Sequence, residues 1–212
     1  MVLTDVEVVA ILAVALVITY FIGTYWKHRT LTHYARWFEE RFSSKAKVRY
    51  KSFGHAGLRI KCEMNSSSDG FSELEIALSL GARENLIYYP YSIVARDFDR
   101  LNCWASLSKT PGFRVLLMRS GKKLPVEWDV TGADRNTVPE LESLGYSVYA
   151  TGSEYAAEFL HRLNVRSRLE ALRTVQTLML EYDPPRLYLA ARLHRDKLPA
   201  LIDFIGYAAR SV

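Results

Sequence analysis

Two cysteines and five histidines are the side chains best suited to hold a metal or act as nucleophiles in this 212-residue chain. A structural zinc site needs four such ligands at close spacings. Cys62, Cys103, His28, His33, His55, His161 and His194 form no spaced set of that kind. The cysteines read as buried free thiols in strands, because a disulfide does not persist in a reducing compartment. Asp97 and Asp99 flank Phe98. Paired carboxylates can exchange protons with a substrate, but these two read better as a solvated strand end. The chain has no phosphate-cradling glycine loop, nucleophile elbow or HExxH zinc motif. The expectation is a non-enzymatic protein with no catalytic residue, no cofactor and no metal. One basic group remains: Arg162, Arg166, Arg168 and Arg173 suit phosphate. Arg162 and Arg166 share a face if their helix continues past residue 163. The same four residues also read as a plain solvated face.

The segment that must position any such surface comes first in the chain. Residues 8–26 hold no charge over 19 positions. As a helix they span about 28 Å, close to a bilayer core. Tyr25 and Trp26 end the run where amphipathic aromatics settle at the interface, and Lys27 and Arg29 follow them. Asp5 and Glu7 lie on the other flank without a basic side chain. The positive-inside rule then places the N-terminus outside and the rest in the cytosol. A signal peptide would show the opposite polarity. The expectation is an anchor over residues 1–29 and a cytosolic domain over 30–212.

Charge follows the same division. Residues 27–66 hold ten Lys and Arg against Glu39, Glu40 and Glu63, a surplus of +7 within a total of +5. Anionic lipid headgroups attract basic residues near the surface by ~1 kcal/mol each. That attraction explains the placement without a further partner. His28 and His33, five apart, fall in the same headgroup-facing stretch.

Periodicity gives the elements. Leu31, Tyr34, Ala35, Phe38 and Phe42 recur at helical spacing, so residues 30–43 read as an amphipathic helix that lies on the membrane or packs on the domain, the second reading being the plainer one. Leu58, Ile60, Cys62 and Met64 alternate with charged residues, and Leu74, Ile76, Leu78 and Leu80 recur at the same spacing with Glu75, Ala77 and Ser79 between them. The two runs predict a hairpin of strands 57–64 and 74–80 across the Ser-rich stretch 65–70. Residues 83–94 read as a short helix or irregular segment limited by Pro90. Strands follow at 98–107 and 113–119, joined around Pro111 and Gly112. Helices are expected at 139–144 and, capped by Ser153, to about residue 163. Strands 175–182 and 187–194 flank Asp183, Pro184 and Pro185. A closing helix at 198–209 turns Leu201, Phe204, Ile205 and Ala208 to one face. Short turns between neighbouring strands imply antiparallel pairing. The fold class is α+β: one N-terminal transmembrane helix, then one cytosolic domain of antiparallel strand pairs and packed helices.

Three stretches carry a family resemblance. They are Tyr20-Phe21-Ile22-Gly23 followed by Ala35, Trp37, Arg41 and Phe42; residues 74–87; and the last strand and helix, 186–207. In these the chain resembles the calumin family (coiled-coil domain-containing protein 47), a subunit of the PAT complex at the endoplasmic reticulum. The resemblance implies an accessory factor for membrane-protein biogenesis. Its partners would be the Sec translocon or a YidC/Oxa-type insertase, the ribosome, and nascent multipass membrane proteins. The family's long acidic luminal region and basic C-terminal coiled coil are not found here, so its calcium binding does not carry over. The minimal form suggests a prokaryotic, archaeal-like relative in the cell membrane, or the endoplasmic reticulum membrane if eukaryotic. A membrane-tethered sensor or scaffold, and an enzyme with a dispersed site, are the competing readings.

Overall fold

The computed structural model describes residues 4–54, 56–66, 70–81, 99–122, 134–136 and 138–212. The protein combines helices with an antiparallel sheet, and its N-terminal helix is long and apolar enough to cross a membrane.

That helix, α1 (Asp5–Phe42), runs 38 residues without a break, about 57 Å at the usual rise. It starts on a capping box: Thr4 Oγ1 accepts the Glu7 amide while the Glu7 carboxylate accepts the Thr4 amide at 2.8 Å. Its apolar first half is uncovered. Thr19, Thr30 and Thr32 donate their hydroxyls to carbonyls four residues back, at 2.7–2.9 Å, so none needs water. The second half buries Leu31, Tyr34, Phe38 and Phe42 in the domain core. The boundary expected between residues 29 and 30 therefore falls inside one rigid rod.

Nine strands form one sheet in the order β1-β2-β3-β4-β9-β8-β5-β7-β6 among the described residues. They are β1 (Ala46–Phe53), β2 (Gly57–Met64), β3 (Phe71–Ser79), β4 (Arg100–Leu107), β5 (Arg114–Arg119), β6 (Asp134–Asn136), β7 (Tyr146–Thr151), β8 (Val175–Tyr182) and β9 (Pro185–Arg192). Every pairing is antiparallel. The expected hairpin is present, with Leu58 opposite Leu78, Ile60 opposite Ile76 and Cys62 opposite Leu74. So is the β8–β9 pair. The strands on either side of Pro111 and Gly112 do not pair, contrary to expectation. The β8–β9 hairpin inserts between them, β9 bonding β4 and β8 bonding β5. Strand β1 carries Lys47, Arg49 and Lys51 and caps the sheet as a charged edge, which discourages pairing with another chain.

Among the described residues the remaining α-helices are α2 (Pro139–Glu142), α3 (Ser153–Arg162), α4 (Val165–Ala171) and α5 (Leu198–Arg210). The expected Ser153 cap is corrected: Gly152 holds the cap position in the left-handed region, φ 70°, and Ser153 is the first helical residue. Helix α5 buries Leu201, Phe204, Ile205 and Ala208 as expected, and Leu198, Ile202 and Ala209 besides. Its C-terminal turn packs so closely on the start of β3 that a Cβ on Gly70 would sit 2.8 Å from the Ala209 carbonyl. One core joins the buried face of α1, the sheet and these helices. Tyr146 ties β7 to the start of β8, its hydroxyl donating to the Val175 carbonyl at 2.8 Å. The segment expected at 83–94, together with Asp97, Phe98 and His55, lies outside the described residues.

Candidate functional site

The basic group expected on one helix face is divided by the backbone. The chain leaves α3 at Leu163 and turns through Asn164, φ 45°, before α4 begins, so Arg162 and Arg166 occupy different helices. Arg162 pairs with Glu158 at 2.5 Å. Arg166 lies 3.4 Å from Glu170 and 3.7 Å from Glu140. Arg173 is exposed after α4, and its carbonyl accepts from Arg119 at 3.1 Å. Arg168 turns the other way. Its Nε donates to the Leu163 carbonyl at 3.1 Å, and its guanidinium lies 3.9 Å over the Tyr207 ring, a cation–π contact.

That turn carries Arg168 into a cleft of about 500 Å³ between α1, α4 and α5. Among the described residues Arg41, Lys45, Arg168 and Arg210 line it together with the carboxylate of Asp203, over a floor that includes Phe42 and Phe71. Arg41 pairs with Asp203. The cleft lies at the end of α1 distant from the apolar run. From Trp26 to Arg41 is about 22 Å along the helix axis. Three cations of the neighbouring strands are paired. Arg49 pairs with Glu63 at 3.4 Å, Lys61 with Glu73 at 2.8 Å, and Arg59 with Glu75. Two charges of the surplus counted over residues 27–66, Arg59 and Lys61, are thus met by acids of β3.

The four expected interface residues sit where the apolar run ends. Tyr25 and Trp26 are each 64% exposed, and Arg29 is exposed beside them. Lys27 differs from expectation: only 5% of it is exposed, and it lines a small gap between α1 and Leu80–Gly81 rather than facing outward. Arg29 lines a second, larger cleft of about 690 Å³ with Trp26, His33, Asp99, His194 and Arg195.

Among the described residues no group of three His, Cys, Asp or Glu side chains is placed to hold a metal ion. Cys62 and Cys103 are buried free thiols in β2 and β4. Burial pushes the Cys62 thiol up to about 12. Burial, then the charges of Cys62 and Glu75, holds Cys103 well above the ordinary range. Because the thiolate is the nucleophile, an alkylating reagent at pH 8 should label neither cysteine in the native protein and both in denaturant. Mass spectrometry reads this directly, and rapid native labelling would show that β2 and β4 are not core strands.

No family model matches the chain, and no curated protein matches it in sequence. Among solved structures, the mycobacterial trehalose monomycolate transport factor A, TtfA, aligns at 11% identity with a TM-score of 0.38, over 78% of this chain and 69% of that one.

Proposed function

We propose that this chain is a single-pass membrane protein whose domain stands on the cytosolic side as a non-enzymatic docking module. The observation that carries the reading is the continuity of α1. One half is an uncovered apolar rod and the other is core, so the domain cannot swing on a linker. It is held at a fixed height, with the four-cation cleft facing partners about 22 Å beyond the membrane end of the helix. The charge asymmetry across the apolar run supports a cytosolic domain. The sequence resemblance supplies the partner class: an accessory factor in membrane-protein biogenesis, acting beside a Sec translocon or YidC/Oxa-type insertase on nascent multipass chains. In that setting the distal cleft meets ribosomal RNA phosphates.

The test is sedimentation of ribosome–nascent-chain complexes carrying a multipass client, from gently solubilised membranes. The protein should sediment with them at low salt and leave as salt rises, because each phosphate contact releases counterions. Lys45→Glu with Arg210→Glu should weaken recovery and lower the salt slope by about one per lost contact, whereas Arg162→Glu and Arg166→Glu should not. In the same membranes a protease should reach the domain only from the cytosolic side. Protection from that side overturns the topology. Failure to enrich with ribosomes or insertion machinery, even after crosslinking, removes the biogenesis role and leaves a membrane-tethered scaffold.

A further inference from the structure

The second cleft, beside the membrane end of α1, has a different geometry from the distal one. Among the described residues its walls come from three places far apart in sequence: α1, Asp99 just before β4, and the connection after β9. Trp26, Arg29, Thr30, His33 and Tyr34 lie along α1, while Leu193, His194 and Arg195 form the connection between β9 and α5. Two guanidiniums, Arg29 and Arg195, therefore converge on one space from separate elements. The cleft's carboxylate is Asp99, which accepts the Gly81 amide at 2.9 Å. Arg195 donates to His33 Nε2 at 3.0 Å. A guanidinium can only donate, so His33 accepts there and acts as a strut between α1 and the connection.

Depth along α1 decides what this space meets. Trp26 is the last residue of the uncharged run. Arg29 lies about 4–5 Å further along the axis and His33 about 10 Å. The headgroup layer of one leaflet is roughly 5–8 Å thick. Arg29 thus sits within that layer and His33 just beyond it, with the exposed Trp26 ring at the hydrocarbon boundary, where indoles settle. A basic pocket at this depth on the cytosolic side has the form that holds lipid phosphate.

We infer that the cleft formed by Trp26, Arg29 and His33 of α1 with His194 and Arg195 seats the headgroup of an anionic phospholipid. Arg29 and Arg195 bind the phosphate, and Trp26 packs on the glycerol and upper acyl region. The site rests on the proposed span, but not on any ribosome or translocon role. It adds a fixed lipid to the diffuse attraction of basic residues for the surface.

The full chain is reconstituted in nanodiscs of phosphatidylcholine with phosphatidylglycerol and released into a native mass spectrometer. Phosphatidylglycerol adducts should outnumber phosphatidylcholine adducts beyond their share in the disc. Arg29→Gln and Arg195→Gln should each lower anionic-lipid retention about fivefold, the factor for one basic residue near the surface. Arg29→Lys should keep most of it, and Arg186→Gln, at the opposite end of β9, should keep all. All of these side chains are exposed, so folding is not at stake. Equal losses in Arg186→Gln would mean diffuse charge attraction and overturn the site. So would an absence of headgroup preference, or displacement of the lipid by soluble glycerol phosphate. Extraction of the protein by alkaline carbonate would instead show that α1 does not span, a separate failure.

Discussion

Ile76→Asp should lower the melting temperature of the full chain in detergent by about 6–24 °C. The side chain lies in the middle of β3, fully buried, opposite Ile60 of β2 and Cys103 of β4. Losing a buried Ile forfeits roughly 1.5–3 kcal/mol of transfer free energy. A carboxyl left there without hydrogen-bond partners costs about 1–3 kcal/mol more, and ionisation raises this further. The total of about 3–6 kcal/mol is a large part of the 5–15 kcal/mol that holds a typical domain folded. For a protein of this size each kcal/mol is worth roughly 2–4 °C. Ser72→Asp, on the same strand but exposed, should change stability by less than about 0.5 kcal/mol. Circular dichroism melts of the two variants against the parent check this. Equal melting of both variants would mean that the alternating pattern does not mark a buried face.

That alternation was legible because β2 places Arg59, Lys61 and Glu63 on every second residue and β3 places Glu73 and Glu75 there. A one-residue slip would bury Lys61 or Glu75, so the register follows from the pattern. Helix α5 was legible for the same reason at helical spacing. Strand β1 was not: Val48 and Tyr50 alternate with cations, yet most of the strand is exposed at the sheet edge, so no apolar run announces it. Strand β7 did carry a signal, since Tyr146, Val148 and Ala150 alternate and are buried. It is short and lies between two helices, where a turn is the easier reading. The crossing of β8 and β9 between β4 and β5 is a long-range choice that local turn chemistry does not encode.

The sites were less legible than the fold. Spacing placed Arg162 and Arg166 together on the assumption of one helix, and a single left-handed residue, Asn164, defeats it. The distal cleft draws Arg41, Lys45, Arg168 and Arg210 from opposite ends of the chain, and the membrane-side cleft joins Arg29 to Arg195 across 166 positions. Only Arg168 and Arg29 among these stood out beforehand, one from its basic neighbourhood and one from its distance past the apolar run. The other residues are ordinary surface cations until packing brings them together.

The largest effect is expected from where the chain is cut within α1. A fragment of residues 30–212 keeps Leu31, Tyr34, Phe38 and Phe42, and it sheds the apolar rod. It should be soluble without detergent and melt cooperatively. A fragment of residues 44–212 loses all four side chains. Each contributes roughly 1.5–3 kcal/mol by burial, so the cut removes about 6–12 kcal/mol, comparable to the whole stability of a domain. It also uncovers Leu58 and Ile60 of β2, part of the same core, leaving an apolar sheet face that favours aggregation. The shorter fragment should therefore be insoluble or unfolded, as judged by gel filtration, circular dichroism and protease resistance. Phe38→Ala within residues 30–212 should fall between the two, losing about 3–5 kcal/mol. A well-folded 44–212 fragment would show that α1 is a detachable tether. The fixed height of the distal cleft would then fail with it, because both depend on one helix being half anchor and half core.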